Sequence, residues 1–186
     1  MTAPISIDNR TGLVVSARQV LSPHFDARPP GIEPDLLVIH GISLPPGEFG
    51  GPCIEAFFCG NLPLEAHPYF ASLAALKVSS HLFIRRDGSL LQFVPLGSRA
   101  WHAGVSSFGG RGACNDFSIG IELEGSDDVP YETQQYATLV ALTKALRAAY
   151  PAITAERIVG HADIAPDRKT DPGAAFDWPR YRNALG

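Results

Sequence analysis

Two short apolar runs in this chain each end on a histidine: "LLVIH" at 36–40 and "RIVGH" at 157–161. Pro34 and Gly41 bound the first. Aliphatic, β-branched runs of this length, closed by turn residues, read as buried strands. Two strands that end on imidazoles put a site at one rim of a sheet. That pair of features narrows both the fold and the place to look for chemistry.

The remaining elements fit around such a sheet. "FSIGIELE" (117–124) alternates, with Ile119, Ile121 and Leu123 facing one way and Gly120, Glu122 and Glu124 the other. "SHLFIRRDGSLLQFV" is two β-type runs around Asp87-Gly88, a dipeptide suited to a tight hairpin turn. Residues 133–150 read as the main helix, with Tyr136, Leu139, Val140, Leu142 and Leu146 on its apolar face and Pro151 as its stop. "CIEAFFCG" and "HPYFASLAAL" read as short helices, and "DWPRYRNAL" as a closing helix capped by Asp177. Residues 1–34 read as irregular, with 1–21 an N-terminal arm. The 18 glycines and 16 prolines are spread along the chain, so many loops surround the core. The expected architecture is a mixed α/β single domain over 1–186, with a central mixed β-sheet flanked by α-helices and the site at one rim.

Composition bounds the partners. The chain has 186 residues, 45% of them hydrophobic and 18% charged, which suits one globular domain with a real core. The net charge is -4 and no basic run exceeds a pair such as Arg85-Arg86, so a nucleic-acid partner is not expected. The N-terminus does not read as a signal peptide, and no apolar run approaches the roughly 20 residues that span a bilayer. A cytoplasmic protein with no membrane partner is expected. The three cysteines, Cys53, Cys59 and Cys114, form no C-x-x-C pair and read as free buried thiols.

"GHADIAPDRKTDPG" (160–173) is too broken for a helix and too polar for a buried strand. Pro172 pushes Asp171 toward an extended conformation, so Lys169 and Asp171 can share a face. A ten-residue loop can bring His161 and Asp171 onto one ion. Catalytic zinc sites use three nitrogen or oxygen ligands plus a water, and His40 is the natural third ligand. On spacing alone a second reading stands: a capped histidine and a Lys–Asp surface pair that contributes about 0–1 kcal/mol. Glu122 likewise has two readings, on a solvent face beside Glu124 or in a cleft as a general base.

Four stretches decide between them. "LLVIHGISLPPGEFGG", "AWHAGVSSF", "CNDFSIGIELEG" and "GHADIAPDRKTDPG", in this order, resemble the N-acetylmuramoyl-L-alanine amidase superfamily, which also holds phage lysozyme-type amidases and peptidoglycan recognition proteins. The resemblance runs from about Ser22 to about Tyr181. It implies Zn2+ as cofactor, held by His40, His161 and Asp171, with Glu122 and Lys169 as the catalytic pair. It implies hydrolysis of the amide between the lactyl group of an anhydromuramyl sugar and L-alanine, in cell-wall recycling. It places Trp101 and His102 in the wall of the substrate pocket. Lys77 and Arg111 are the candidate cations for peptide carboxylates. The expected partner is a small-molecule anhydromuramyl peptide, met by a monomer. Gly41 and Ala162 depart from many relatives, which carry asparagine and cysteine there. A noncatalytic peptidoglycan-binding module and an amidase for polymeric cell wall are the competing functions. A serine or cysteine hydrolase is discounted, since no G-x-S-x-G occurs.

Overall fold

The run at "LLVIH" forms a strand over Leu36–Ile42 in a computed structural model that describes residues 5–186. The first four residues of the expected arm lie outside that range. Ser118–Glu124 lies beside this strand, parallel, from Ser118 opposite Leu36 to Glu124 opposite Ile42. The six-stranded sheet has the order Ile158–Gly160, Leu36–Ile42, Ser118–Glu124, Leu82–Ile84, Leu90–Gln92, Arg18–Gln19. Only Leu82–Ile84 and Leu90–Gln92 pair antiparallel; the other neighbours are parallel. The sheet is therefore mixed, as expected, and its antiparallel pair is the hairpin at Asp87-Gly88. Gly88 takes φ +82°, which the turn requires, and Arg85 N–H donates to Ser89 O at 3.0 Å.

Parallel strands buried on both faces need cover on both. On one face lies the helix Thr133–Ala149, whose Leu139, Leu142 and Leu146 pack with Leu37, Ile39, Ile119, Ile121 and Leu123. Each such leucine contributes about 1.5–3 kcal/mol by leaving water. Gln135 closes the helix start by accepting from Glu132 N–H at 2.9 Å. Its amide also donates to Ile84 O and Glu124 O, which ties the helix to two strand ends. The closing helix Trp178–Leu185 joins this layer through buried Tyr181, and Asp177 caps it by accepting from Arg180 N–H at 2.9 Å. On the opposite face Leu36 and Val38 meet Ala103, Cys114, Phe117, Val159 and Ile164. Toward the hairpin a third cluster gathers Phe57, Phe58, Phe70, Phe83 and Phe93.

Several expectations are corrected. Residues before 34 are not simply irregular. Arg18–Gln19 adds the edge strand of the sheet, and Phe25–Ala27 pairs antiparallel with Ser98–Ala100. Arg28 fixes this region by donating to the carbonyls of Asn115, Asp116, Leu96 and Ser118. Within "HPYFASLAAL" only Pro68–Leu73 is helical, as a 3-10 turn. The 157–161 strand stops at Gly160, and His161–Ile164 form one turn of α-helix inside the segment read as nonhelical. Every residue of Ser118–Glu124 is buried, so neither glutamate of that strand faces solvent. Glu124 accepts from the N–H of Gly50 and of Arg86. The three cysteines are free; Cys114 is buried, while Cys53 and Cys59 are only half-buried. Among the described residues no helix is long and apolar enough to cross a membrane.

Candidate metal centre and active-site cleft

His40 and Glu122 are register partners on adjacent parallel strands. Parallel pairing sends the side chains of such partners to the same face. His161 follows the third strand and opens the short helical turn. Asp171 comes from the loop behind it, which is tied back by Ala162 N–H donating to Asp171 O at 3.0 Å. Three chain segments thus deliver one atom each to a single point. His40 Nδ1 lies 3.0 Å from His161 Nδ1 and 3.1 Å from Asp171 Oδ2, and His161 Nδ1 lies 3.1 Å from the same oxygen.

This set fits zinc. A tetrahedral ion with bonds of about 2.0–2.1 Å holds its ligands about 3.3–3.4 Å apart, close to these spacings. His161 Nε2 sits 3.2 Å from Ala103 O. A carbonyl only accepts, so that nitrogen carries the ring proton and Nδ1 presents its lone pair to the cluster. Burial pushes His40 down to about 4, which keeps it neutral near pH 7. Burial alone would raise Asp171, but its close contacts to His161 and His40 hold it well below the ordinary carboxylate range. Neutral imidazoles and an ionised carboxylate are the forms that bind a divalent cation.

The cluster lies at the base of a cleft of about 780 Å³, which Glu122, Lys169 and Trp101 also line. Glu122 is 8% exposed. Burial, and then the charge of Asp171, raises its pKa well above the usual carboxylate value, while the Lys169 ammonium acts against them. Trp101 is held in place by its indole N–H, which donates to Asp26 Oδ1 at 3.1 Å, and by stacking on His24. His102 borders the cleft but lies low in it, with Nδ1 2.9 Å from His40 Nε2 and Nε2 3.0 Å from Ser118 Oγ.

Neither candidate cation is itself part of the cleft lining, although Leu76 and Val78 on either side of Lys77 are. Lys77 is exposed and is not among the residues lining the cleft. Arg111 is also absent from the lining: its guanidinium pairs with Asp35 at 2.5 Å and stacks 3.7 Å from the Phe117 ring centroid. The cation missed by sequence reasoning is Arg168, which does line the cleft and donates to Ala103 O and Val105 O. Its position beside Lys169 was the available signal. Asp127 and Asp128 also line the cleft, and only the tertiary fold brings their turn there. At Gly41 a Cβ would lie 2.3 Å from Tyr131 Oη, so the tyrosine hydroxyl holds the space of a side chain there.

Known proteins share this sequence and fold. Residues 30–174 match the family described as N-acetylmuramoyl-L-alanine amidase. The 1,6-anhydro-N-acetylmuramyl-L-alanine amidase AmpD of Salmonella typhimurium (strain SL1344) is 61% identical over 171 residues, 92% of this chain and 91% of that protein. The crystal structure of a selenomethionine derivative of AmpD superposes with a TM-score of 0.93 at 57% identity, covering 97% of this chain and 99% of the other. The amidase AmiD from E. coli, solved in complex with anhydro-N-acetylmuramic acid-L-Ala-D-gamma-Glu-L-Lys, superposes with a TM-score of 0.58 at 29% identity, covering 97% of this chain and 65% of AmiD. With the family match holding five of the six strands of the sheet and the residues that line the cleft, the chain belongs to the N-acetylmuramoyl-L-alanine amidase family and is an enzyme of that type.

Proposed function

We propose that this enzyme hydrolyses the amide between the lactyl group of 1,6-anhydro-N-acetylmuramic acid and the L-alanine of the stem peptide, as a step of peptidoglycan recycling. The observation that carries the reading is the convergence of His40 Nδ1, His161 Nδ1 and Asp171 Oδ2 beside a buried glutamate at the base of the cleft. The anhydro-sugar specificity is drawn from AmpD relatives that match along nearly their whole length.

His40, His161 and Asp171 would hold zinc. When bound, the ion supplies Lewis acidity, which polarises a carbonyl oxygen and acidifies water. Glu122 takes a proton from the attacking water as its oxygen adds to the lactyl carbonyl carbon. The Lys169 ammonium faces the negative charge that develops on the carbonyl oxygen. Glu122 then delivers the proton to the alanine nitrogen as the C–N bond breaks. The products are the lactyl carboxylic acid of the sugar and a peptide with a free amine. Burial raises the Glu122 pKa above the ordinary carboxylate value, which makes the carboxylate a stronger base. Trp101 provides a flat apolar wall for the sugar.

The test is mass spectrometry of an anhydromuramyl tripeptide incubated with the purified protein. Free tripeptide is expected, lost with a chelator and regained with zinc. An intact substrate in the presence of zinc overturns the proposal.

A further inference from the structure

Below the metal cluster lies a chain of hydrogen bonds whose directions are fixed from its far end. Ser118 Oγ sits 2.6 Å from Cys114 O. That carbonyl only accepts, so the serine spends its single proton there. Ser118 Oγ must then accept from His102, 3.0 Å away, which puts the His102 proton on Nε2. A neutral imidazole protonated at Nε2 carries a lone pair on Nδ1. His102 Nδ1 therefore accepts from His40 Nε2–H across 2.9 Å. What remains on His40 is the lone pair of Nδ1, the atom that faces His161 and Asp171.

The second histidine is treated alike by the next residue. Ala103 O accepts from His161 Nε2–H at 3.2 Å and also from Arg168 at 2.7 Å. The backbone N–H groups of His102 and Ala103 both donate to Asn115 Oδ1, at 3.1 and 2.8 Å. The His102 ring has room because residue 120 is glycine: a Cβ there would lie 2.6 Å from His102 Cγ and Nδ1. Ser118 and Gly120 share the face of their strand that carries Glu122.

We infer that His102 and Ala103, pinned by Asn115, form one positioning unit that sets the tautomer and orientation of both metal-binding histidines. His102 acts through His40, with Ser118 fixing its proton, rather than as a contact to the substrate. This rests on the reading of His40, His161 and Asp171 as zinc ligands. Groups that hold the distal nitrogen of a metal-bound histidine typically govern affinity by about 10–100-fold.

The test is zinc affinity measured by competition with a chromophoric chelator, alongside thermal melting of each metal-free protein. His102→Ala is expected to weaken zinc by about 10–100-fold. His102→Asn keeps an acceptor near the place of Nδ1 and is expected to recover most of that loss. A role in packing alone would lower the metal-free melting point in both variants and leave zinc affinity unchanged. Wild-type affinity in His102→Ala overturns the inference, and so does an asparagine variant as weak as the alanine one. Should His102→Ala fail to fold, Ser118→Ala carries the test: it removes the far anchor, and unchanged zinc affinity there also overturns the inference. A wild-type protein with no zinc affinity overturns the metal reading itself, and the inference with it.

Discussion

Single atoms decide whether this site works, and two residues test that most sharply. Glu122→Gln preserves shape and removes the proposed proton carrier. It is expected to keep zinc, read by metal analysis, and to lower kcat by about 10²–10⁴-fold. Near-normal turnover would remove Glu122 from the role of base. Gly120→Ala adds one methyl group against the His102 ring. It is expected to cost about 1–3 kcal/mol in urea unfolding, as overpacked cores do, and to weaken zinc. At this scale the sequence was informative where residue type and local backbone agree. Histidines that close short apolar runs and an aspartate before proline are visible in one dimension, although His40 lies two residues inside its strand and His161 opens a helical turn. Whether Glu122 faced water or a cleft was not, because that depends on what covers the second face of its strand. Nor was the fate of Arg111, whose partners Asp35 and Phe117 come from other segments.

Elements are held by polar stitches as much as by apolar faces. The half-buried Arg28 donates through its guanidinium to four backbone carbonyls between Leu96 and Ser118. Burial lowers it to about 10, still far above neutrality. Arg28→Met leaves those carbonyls without a donor and is expected to destabilise by about 2–5 kcal/mol in urea unfolding. A loss under 1 kcal/mol would show that water replaces the guanidinium. Periodicity was enough to find the long helix and the hairpin, since both are stabilised by residues close in sequence. It missed Arg18–Gln19 and Phe25–Ala27, which are two or three residues long and take their hydrogen bonds from distant partners, and also the short local pair of Ile7–Asp8 with Leu13–Val14.

Across the whole molecule, buried neutral groups set the response to acid. His81 Nδ1 accepts from Gly120 N–H at 3.0 Å, and burial with the nearby Arg28 charge lowers the ring to about 3. The unfolded chain, with histidine near 6.5, therefore binds a proton that the folded protein refuses between about pH 6.5 and 3. Stability falls as pH drops through that window, by about 1.4 kcal/mol per pH unit for this group. His81→Asn, which keeps an acceptor for Gly120 and cannot titrate there, is expected to flatten the pH dependence of urea unfolding of the metal-free protein by about one proton. An unchanged slope would assign the acid sensitivity to other groups. The order of the sheet was beyond reach of the sequence, because its central parallel strands, Leu36–Ile42 and Ser118–Glu124, are joined through short helices, the hairpin and loops that do not show which strands become neighbours.

The wide separation of the proposed metal ligands has a kinetic consequence. His40 and His161 are 121 residues apart in the chain and meet only once the outer parallel strand has docked. Long-range parallel pairing is a slow event in folding. An ion bound there would therefore hold the finished molecule but offer little to a chain still assembling. Stripping zinc is expected to speed unfolding in stopped-flow denaturant jumps and to leave the refolding rate nearly unchanged. A refolding rate that rises with zinc would mean the three ligands gather before the sheet is complete.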